Sequence, residues 1–373
     1  MLFDIRPKTQ LKDLFDREKE VGELKQSLDL GEPLIVIYGI RRVGKTSLLR
    51  ACLNEFSYPH VLVDVREIID EYGYITRSHL YEQMARFFTS NLEFFEKLGF
   101  KIRDLLKRIK AFHLSGIGVE VNPSVNIDIT SILRIFNDWA KKHNTRFIIA
   151  FDEAQYLRFS GATKYDGIFA WAYDNLENLT IIVTGSEIGV LRDFLKLDNP
   201  KAPLYGRYVR EIMLGKFTLE QSREFLEKGF NELHMTISDH EIDEVINKLD
   251  GIPGWLTLYG YYRGVQKLDH RRALEKVFEV GSKLVMEELE KIIAPSRQRY
   301  QAILEAIIHG ATRWIQIKTY VEYRTRTQVA DKNFTDLLKK LAKYGVIEKQ
   351  DDQYRITDPL IKHAIKTIVS QPT

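Results

Sequence analysis

The stretch PLIVIYGIRRVGKTSLLR, residues 33–50, decides the fold. Leu34 to Tyr38 form an unbroken apolar run of the kind buried on both faces of a parallel sheet. The run stops at Gly39, and from there the spacing is G-x-x-x-x-G-K-T, closing on Gly44, Lys45 and Thr46. SLLRACLNEF follows, with Leu48, Leu49, Cys52 and Phe56 at helical intervals. A strand, a glycine loop and a helix in that order aim backbone N–H groups and the positive end of a helix at one point, which makes an anion site.

The spacing and its flanks are those of a P-loop. The expected nucleotide contacts run from Gly39 through Arg41, Arg42, Val43, Gly44, Lys45, Thr46 and Ser47. Lys45 is placed to reach the β- and γ-phosphates, and the Thr46 hydroxyl to ligate Mg²⁺. Arg41 and Arg42 have two readings: one leans on phosphates or a neighbouring subunit, or both are solvated at a loop tip.

Hydrolysis needs a second, acidic site, and RFIIAFDEAQYL (146–157) supplies one. FIIAF reads as another buried strand, with Asp152 and Glu153 at its carboxyl end, where ligands collect in open α/β sheets. Asp152 is the expected magnesium-side carboxylate and Glu153 the residue that orients or deprotonates the attacking water. LTIIVTGSE (179–187) is a third such strand; Thr184 and Ser186 at its end are both candidates to hold the water or the γ-phosphate.

Strands are expected near 34–38, 60–65, 146–151, 179–184 and 208–214, after an entering amphipathic helix over 11–30. The alternation with helices predicts an α/β fold, a parallel sheet covered on both faces. The span 76–130 reads as an insertion, with helical runs 76–97 and 101–112, a lone His113 and a hairpin turning at NPS (122–124). From residue 216 the strand signals stop, and 218–284 reads as helices, one capped at Ser238.

The chain has 373 residues, with 55 basic and 52 acidic side chains, so any argument for an anionic partner has to be local. Cys52 is the single cysteine, which excludes an intrachain disulfide framework. No apolar run approaches the ~18 residues that span a bilayer, and the start lacks the pattern of a signal peptide. A soluble, cytoplasmic protein without membrane contact is expected.

With these motifs in order, the sequence resembles the archaeal ATPase family of P-loop proteins, close to the AAA+ and STAND ATPases. The motifs are LFDREKEVGEL (14–24), GIRRVGKTSLL (39–49), FIIAFDEAQ (147–155), IIVTGSE (181–187), APLYGR (202–207) and GIPGWL (251–256). The resemblance implies ATP or ADP with Mg²⁺ as cofactors. It also implies that Arg17 and Glu18 pack near the adenine, that Thr184 or Ser186 is the sensor, and that Pro253 is a lid proline against the nucleotide. Arg207 then matches an arginine facing the γ-phosphate, within the chain or across a subunit contact, so a homo-oligomer is one of the assemblies implied. Read without the family, Arg207 is a surface salt-bridge residue and DGIPG a helix stop.

The last 80 or so residues hold three amphipathic runs, RYQAILEAIIHG, RWIQIKTYVEY and DKNFTDLLKKLAKYGVIEK, then two short strands around QDDQ. Their order resembles a winged helix. The third run carries Lys332, Lys339, Lys340 and Lys343, with Arg324 and Arg326 before it, a pattern suited to DNA phosphates and equally to a solvated face that docks protein. The expected organisation is a P-loop core over 1–215, a helical lid over 216–287 and a winged helix over 288–373. Two functions stay open: an ATP-hydrolysing switch that moves lid and winged helix around a protein client, or a DNA-binding module, similar to replication-initiator or transposition ATPases, in which ATP locks the shape.

Overall fold

The computed structural model describes residues 1–100 and 128–369. β1 (Leu34–Tyr38), β2 (His60–Asp64), β3 (Phe147–Asp152), β4 (Leu179–Gly185) and β5 (Arg210–Met213) form one sheet in the order β2-β3-β4-β1-β5. All pairs are parallel. Every residue of β1, β3 and β4 is buried, which is what their continuous apolar runs require, while the edge strands β2 and β5 are partly exposed.

The pleat divides the strand side chains between two cores. Val36, Tyr38, Phe147, Ile149, Ile181 and Val183 pack toward the helices Arg77–Ser90, Ile129–Lys142 and Tyr165–Asn175. Ile35, Ile37, Ile148, Ala150, Ile182 and Ile212 pack toward Glu18–Asp29 and Lys45–Glu55. The sequence therefore buries the sheet from both sides and leaves only its carboxyl edge free for chemistry. Because β4 lies between β1 and β3, Ile37 pairs with Thr184 and Phe151 with Val183. The ends of the three strands thus fall side by side.

Local differences from the sequence expectations have clear causes. The entering helix starts at Glu18, not residue 11: Leu11–Asp13 is a single 3₁₀ turn, and Asp16 takes a positive φ of 50° that breaks the helix. The run 76–97 is two helices, Arg77–Ser90 and Leu92–Lys97, parted at Asn91. The run 101–112, His113 and the hairpin at 122–124 lie outside the described residues.

The helices Leu219–Glu232, Asp239–Leu249 and Pro253–Gly260 build a separate apolar core beside the sheet. Two of them start with reciprocal capping boxes, Thr218 with Gln221 and Ser238 with Glu241. The next helix, His270–Ile293, runs unbroken through residue 287, so lid and winged helix share one 24-residue element. After it come Arg297–Ile308, Trp314–Thr325, Asp331–Lys343 and the antiparallel pair β6 (Ile347–Gln350) and β7 (Gln353–Ile356). Asp351 and Asp352 both have positive φ, as a tight two-residue hairpin turn demands. A last helix, Pro359–Val369, buries Leu360 and Ala364 in the lid core and Ile365 in the winged-helix core, fastening one to the other. Among the described residues no helix is long and apolar enough to cross a membrane.

Candidate active site

The glycine loop leaves β1 at Gly39. A Cβ there would lie 2.7 Å from both the Leu214 carbonyl and the Val43 side chain, so only glycine fits. The Lys45 side chain is 5% exposed and folds back along the loop, where Nζ donates to the Gly39 and Ile40 carbonyls at 2.8 and 3.0 Å. Burial pushes the ammonium down, while the carboxylates of Glu153 and Asp152 pull it up.

Asp152, 3% exposed, is gripped through both oxygens. Thr46 donates to one at 2.7 Å and Thr184 donates to the other. Burial raises its carboxyl above the usual range, and the charge of Glu153 adds to the rise against the two hydroxyl bonds. Glu153 takes a left-handed backbone, φ 53°, a strain of about 1–3 kcal/mol for a non-glycine residue. Its Oε2 accepts from the Ser186 amide at 3.1 Å, the Ser186 hydroxyl at 2.7 Å and Gln155 Nε2 at 2.5 Å. Burial pushes Glu153 up, yet the Lys45 charge and these hydrogen bonds win and hold it below its usual value. The two sensor candidates thus divide the work: Thr184 serves Asp152, and Ser186 serves Glu153.

The pair of oxygens from Thr46 and Asp152 suits a hard cation such as Mg²⁺, which keeps water and substrate oxygens around one or two protein ligands. Among the described residues no cluster of three or more His, Cys, Asp or Glu side chains could hold a metal without such help.

A cavity of about 450 Å³ opens between the loop and the lid. Arg17, Arg41, Arg42, Val43, Gly44, Lys45, Thr46, Ser47, Glu153 and Pro253 all line it. Asp152 and Thr184 stand behind that wall, bonded to Thr46 and to the Glu153 amide respectively. Arg17, only 8% exposed, donates to the Gly215 carbonyl at 2.9 Å and lies 4.8 Å from the Phe217 ring centre, tying the entering helix to the linker after β5. Glu18 is exposed and takes no part in the lining.

Sequence reasoning missed the chain start as a wall of this cavity. Phe3 is fully buried in the lid, against Phe225 and Phe230. Cβ atoms at Gly229 and Gly260 would each lie 2.2 Å from its ring, so these two glycines form the notch that receives it. From there the chain crosses the cavity mouth to Lys8, whose amide donates to Ser47 Oγ at 3.1 Å. An apolar MLF start was the only available signal. Arg66 and Glu288 also line the cavity without having been singled out.

Arg207 is not brought to the site. Its guanidinium donates to Asp174 at 2.9 and 2.6 Å, and to the Pro203 carbonyl, on an outer face beyond the cavity. Asp174, on the helix Tyr165–Asn175, holds the Arg207 side chain away from this chain's own cavity.

Comparison with known proteins agrees with this architecture. Residues 14–258 match the family described as ATPase domain predominantly from Archaea, and residues 295–357 match the C-terminal winged helix-turn-helix domain of MCM proteins. A solved Walker-type ATPase of Pyrococcus abyssi is 38% identical, with a TM-score of 0.83 over 98% of this chain and 100% of that one. The ORC2 protein of Aeropyrum pernix, solved in ADPNP–ADP complexes, shares the fold at 14% identity, with a TM-score of 0.60 over 99% of this chain and 98% of that one. An uncharacterised protein of Methanocaldococcus jannaschii is 24% identical over 90% of this chain, which spans 62% of that relative's length. The chain belongs to the family of ATPase domains found predominantly in Archaea, here carrying a C-terminal winged helix.

Proposed function

We propose that the chain is a magnesium-dependent, ATP-hydrolysing switch whose nucleotide state sets the position of lid and winged helix. The observation that carries this reading is the joint placement of Lys45, Thr46 and Glu153 on one cavity wall, with Asp152 bonded to Thr46 behind it. Lys45 exchanges its two loop carbonyls for β- and γ-phosphate oxygens. Thr46 and Asp152 would hold a magnesium ion, which would supply charge neutralisation for the phosphates. Glu153, kept ionised by Lys45 and Ser186, accepts a proton from the attacking water. The water oxygen bonds to the γ-phosphorus, the bond to the bridging oxygen breaks, and ADP leaves. Arg17, Pro253 and the segment carrying Phe15 enclose the base side.

Binding of a fluorescent ATP analogue with Mg²⁺ tests this. Lys45→Ala is expected to abolish it, because the ammonium, itself buried, offsets several phosphate charges. Unchanged affinity would remove the P-loop assignment.

A second reading, DNA contact through the winged helix, is supported by the match of residues 295–357 to an MCM winged helix and by exposed Lys332 and Lys339. It predicts salt-sensitive DNA binding with negligible turnover. Anisotropy at two salt concentrations, alongside an ATPase assay, separates the two.

A further inference from the structure

Glu288 sits on the helix His270–Ile293, five residues before its end, and faces the glycine loop. Its carboxylate lies 2.6 Å from Arg41 Nη1, 3.4 Å from Arg42 Nη1 and 3.4 Å from Arg66 Nη2. A single carboxylate therefore serves three guanidinium groups. Other carboxylates relieve only part of the surplus: Glu187 takes Arg41 at 3.2 Å and Asp70 takes Arg66 at 3.4 Å.

This cluster is also a partition. Arg41, Arg42 and Glu288 line the 450 Å³ cavity on one side. On the other side they line a narrow space of about 40 Å³, shared with Ser186, Tyr344, Val346 and Asp358 of the sensor strand end and the winged helix. Arg41, Lys45 and Glu153 line the same cavity, and the proposed function sets the last two against the terminal phosphate.

We propose that Glu288 is a phosphate surrogate that the terminal phosphate of a nucleoside triphosphate displaces from Arg41, Arg42 and Arg66, so that it discriminates ATP from ADP and passes the difference to the winged helix. The proposal rests on reading the cavity as a nucleotide site. Guanidinium groups bind phosphate in the same planar, two-pronged way as carboxylate, and a terminal phosphate brings more charge and more acceptor oxygens than one carboxylate. A diphosphate, one phosphate shorter and less charged, should leave Glu288 in place.

The consequence is mechanical. Glu288 ties the glycine loop to the helix that leads into the winged helix. A parallel tie runs from Arg42, stacked 4.3 Å over Trp255, to the Trp255 indole, which donates to Asp358 at 3.1 and 3.0 Å. Freeing the Glu288 carboxylate loosens the first tie and repositions the arginine that anchors the second.

The test titrates wild type and Glu288→Gln with fluorescent ADP and with a fluorescent, non-hydrolysable ATP analogue, both with Mg²⁺. Removing the competing charge should tighten the triphosphate by about 10-fold and the diphosphate by less than about 3-fold. An equal change for both, or none, overturns the proposal. Hydrogen exchange on the unmodified chain gives a reading free of folding effects in the variant. The triphosphate analogue should speed exchange across 285–297 relative to ADP, and equal exchange overturns the proposal. A wild-type chain that binds neither nucleotide fails at the underlying site assignment, and the proposal falls with it; binding of both, insensitive to Glu288, sinks the proposal alone.

Discussion

Thr46 donates its hydroxyl hydrogen to Asp152 across 2.7 Å, joining the helix after the glycine loop to the end of β3. Thr184 donates to the other Asp152 oxygen, yet burial and the neighbouring charge of Glu153 still hold the Asp152 carboxyl above its ordinary value of 3.8. The native chain thus binds more protons than the unfolded chain between the two values. Stability falls as pH rises through that window, and the whole penalty is present above it. Asp152→Asn removes the penalty. The nucleotide-free variant should melt higher than wild type at pH 7, with the gain fading as pH falls into the ordinary carboxylate range. The same change should blunt the Mg²⁺ dependence of ATP binding. A variant less stable at pH 7 would mean that the fold favours the charged form of Asp152.

Glu153→Gln keeps the volume and the contacts to Ser186 but loses the proton acceptor. ATP affinity should stay within about threefold, while steady-state turnover falls by roughly 10²-fold or more. A comparable loss of binding would mean that Glu153 holds the nucleotide instead of activating water.

The parts of the site that follow from local chemistry were legible in the sequence. Three short, mostly apolar runs flanked by turn residues read as central strands, and the residues ending them, Gly39, Asp152 and Thr184, meet at the carboxyl edge. What the sequence left ambiguous depends on distant partners. Thr184 and Ser186 look equivalent until the register sets one against Asp152 and the other against Glu153. Arg41 and Arg42 looked solvated or phosphate-bound, and they are bonded to Glu288, more than 240 residues away. Phe3 and Gly229 give no local sign that one fills the space above the other. The last helix, Pro359–Val369, is amphipathic, but its role comes from burying its two faces in different cores.

Phe3→Ala should separate the chain start from the lid. The side chain is fully buried in a notch of two glycines, so its loss costs about 3–5 kcal/mol of local packing. Residues 1–8 then no longer bridge the lid and Ser47 across the cavity mouth. Stopped-flow release of a fluorescent nucleotide should become several-fold faster. Unchanged release, with a lowered melting temperature, would leave this segment a packing role only.

Arg207→Ala should leave nucleotide affinity within about twofold, because the side chain is bonded to Asp174 and lies outside the cavity. An exposed pair of this kind contributes little to stability, on the order of 0–1 kcal/mol. Turnover is the discriminating measurement. An inactive Arg207→Ala protein that recovers activity when mixed with Glu153→Gln would place Arg207 on a neighbouring chain's nucleotide.

The winged helix yields a prediction that the fold itself has narrowed. The helix Asp331–Lys343 was expected to offer three lysines at its carboxyl end, but Lys343 is bonded to Asp193 on the helix Ile188–Leu195 of the ATPase core. Its backbone also packs on Gly189, where a Cβ would lie 2.7 Å from the Lys343 Cα. Lys343 therefore joins winged helix to core, and Lys339 and Lys340 remain to meet phosphate. If this helix enters a groove, changing both to Ala should weaken binding on all DNA sequences alike. The log–log salt slope should flatten by up to about two units, one for each lost counterion-releasing contact. Lys343→Ala should behave differently: in the nucleotide-free chain it frees the carboxyl end of the helix from the core, so DNA affinity should rise or hold while the slope stays nearly unchanged. A drop in slope of about one unit for Lys343→Ala would show that the docked position opens before DNA binds. Absence of any DNA binding by the wild-type chain at low salt would leave this surface to a protein client, with the switch intact.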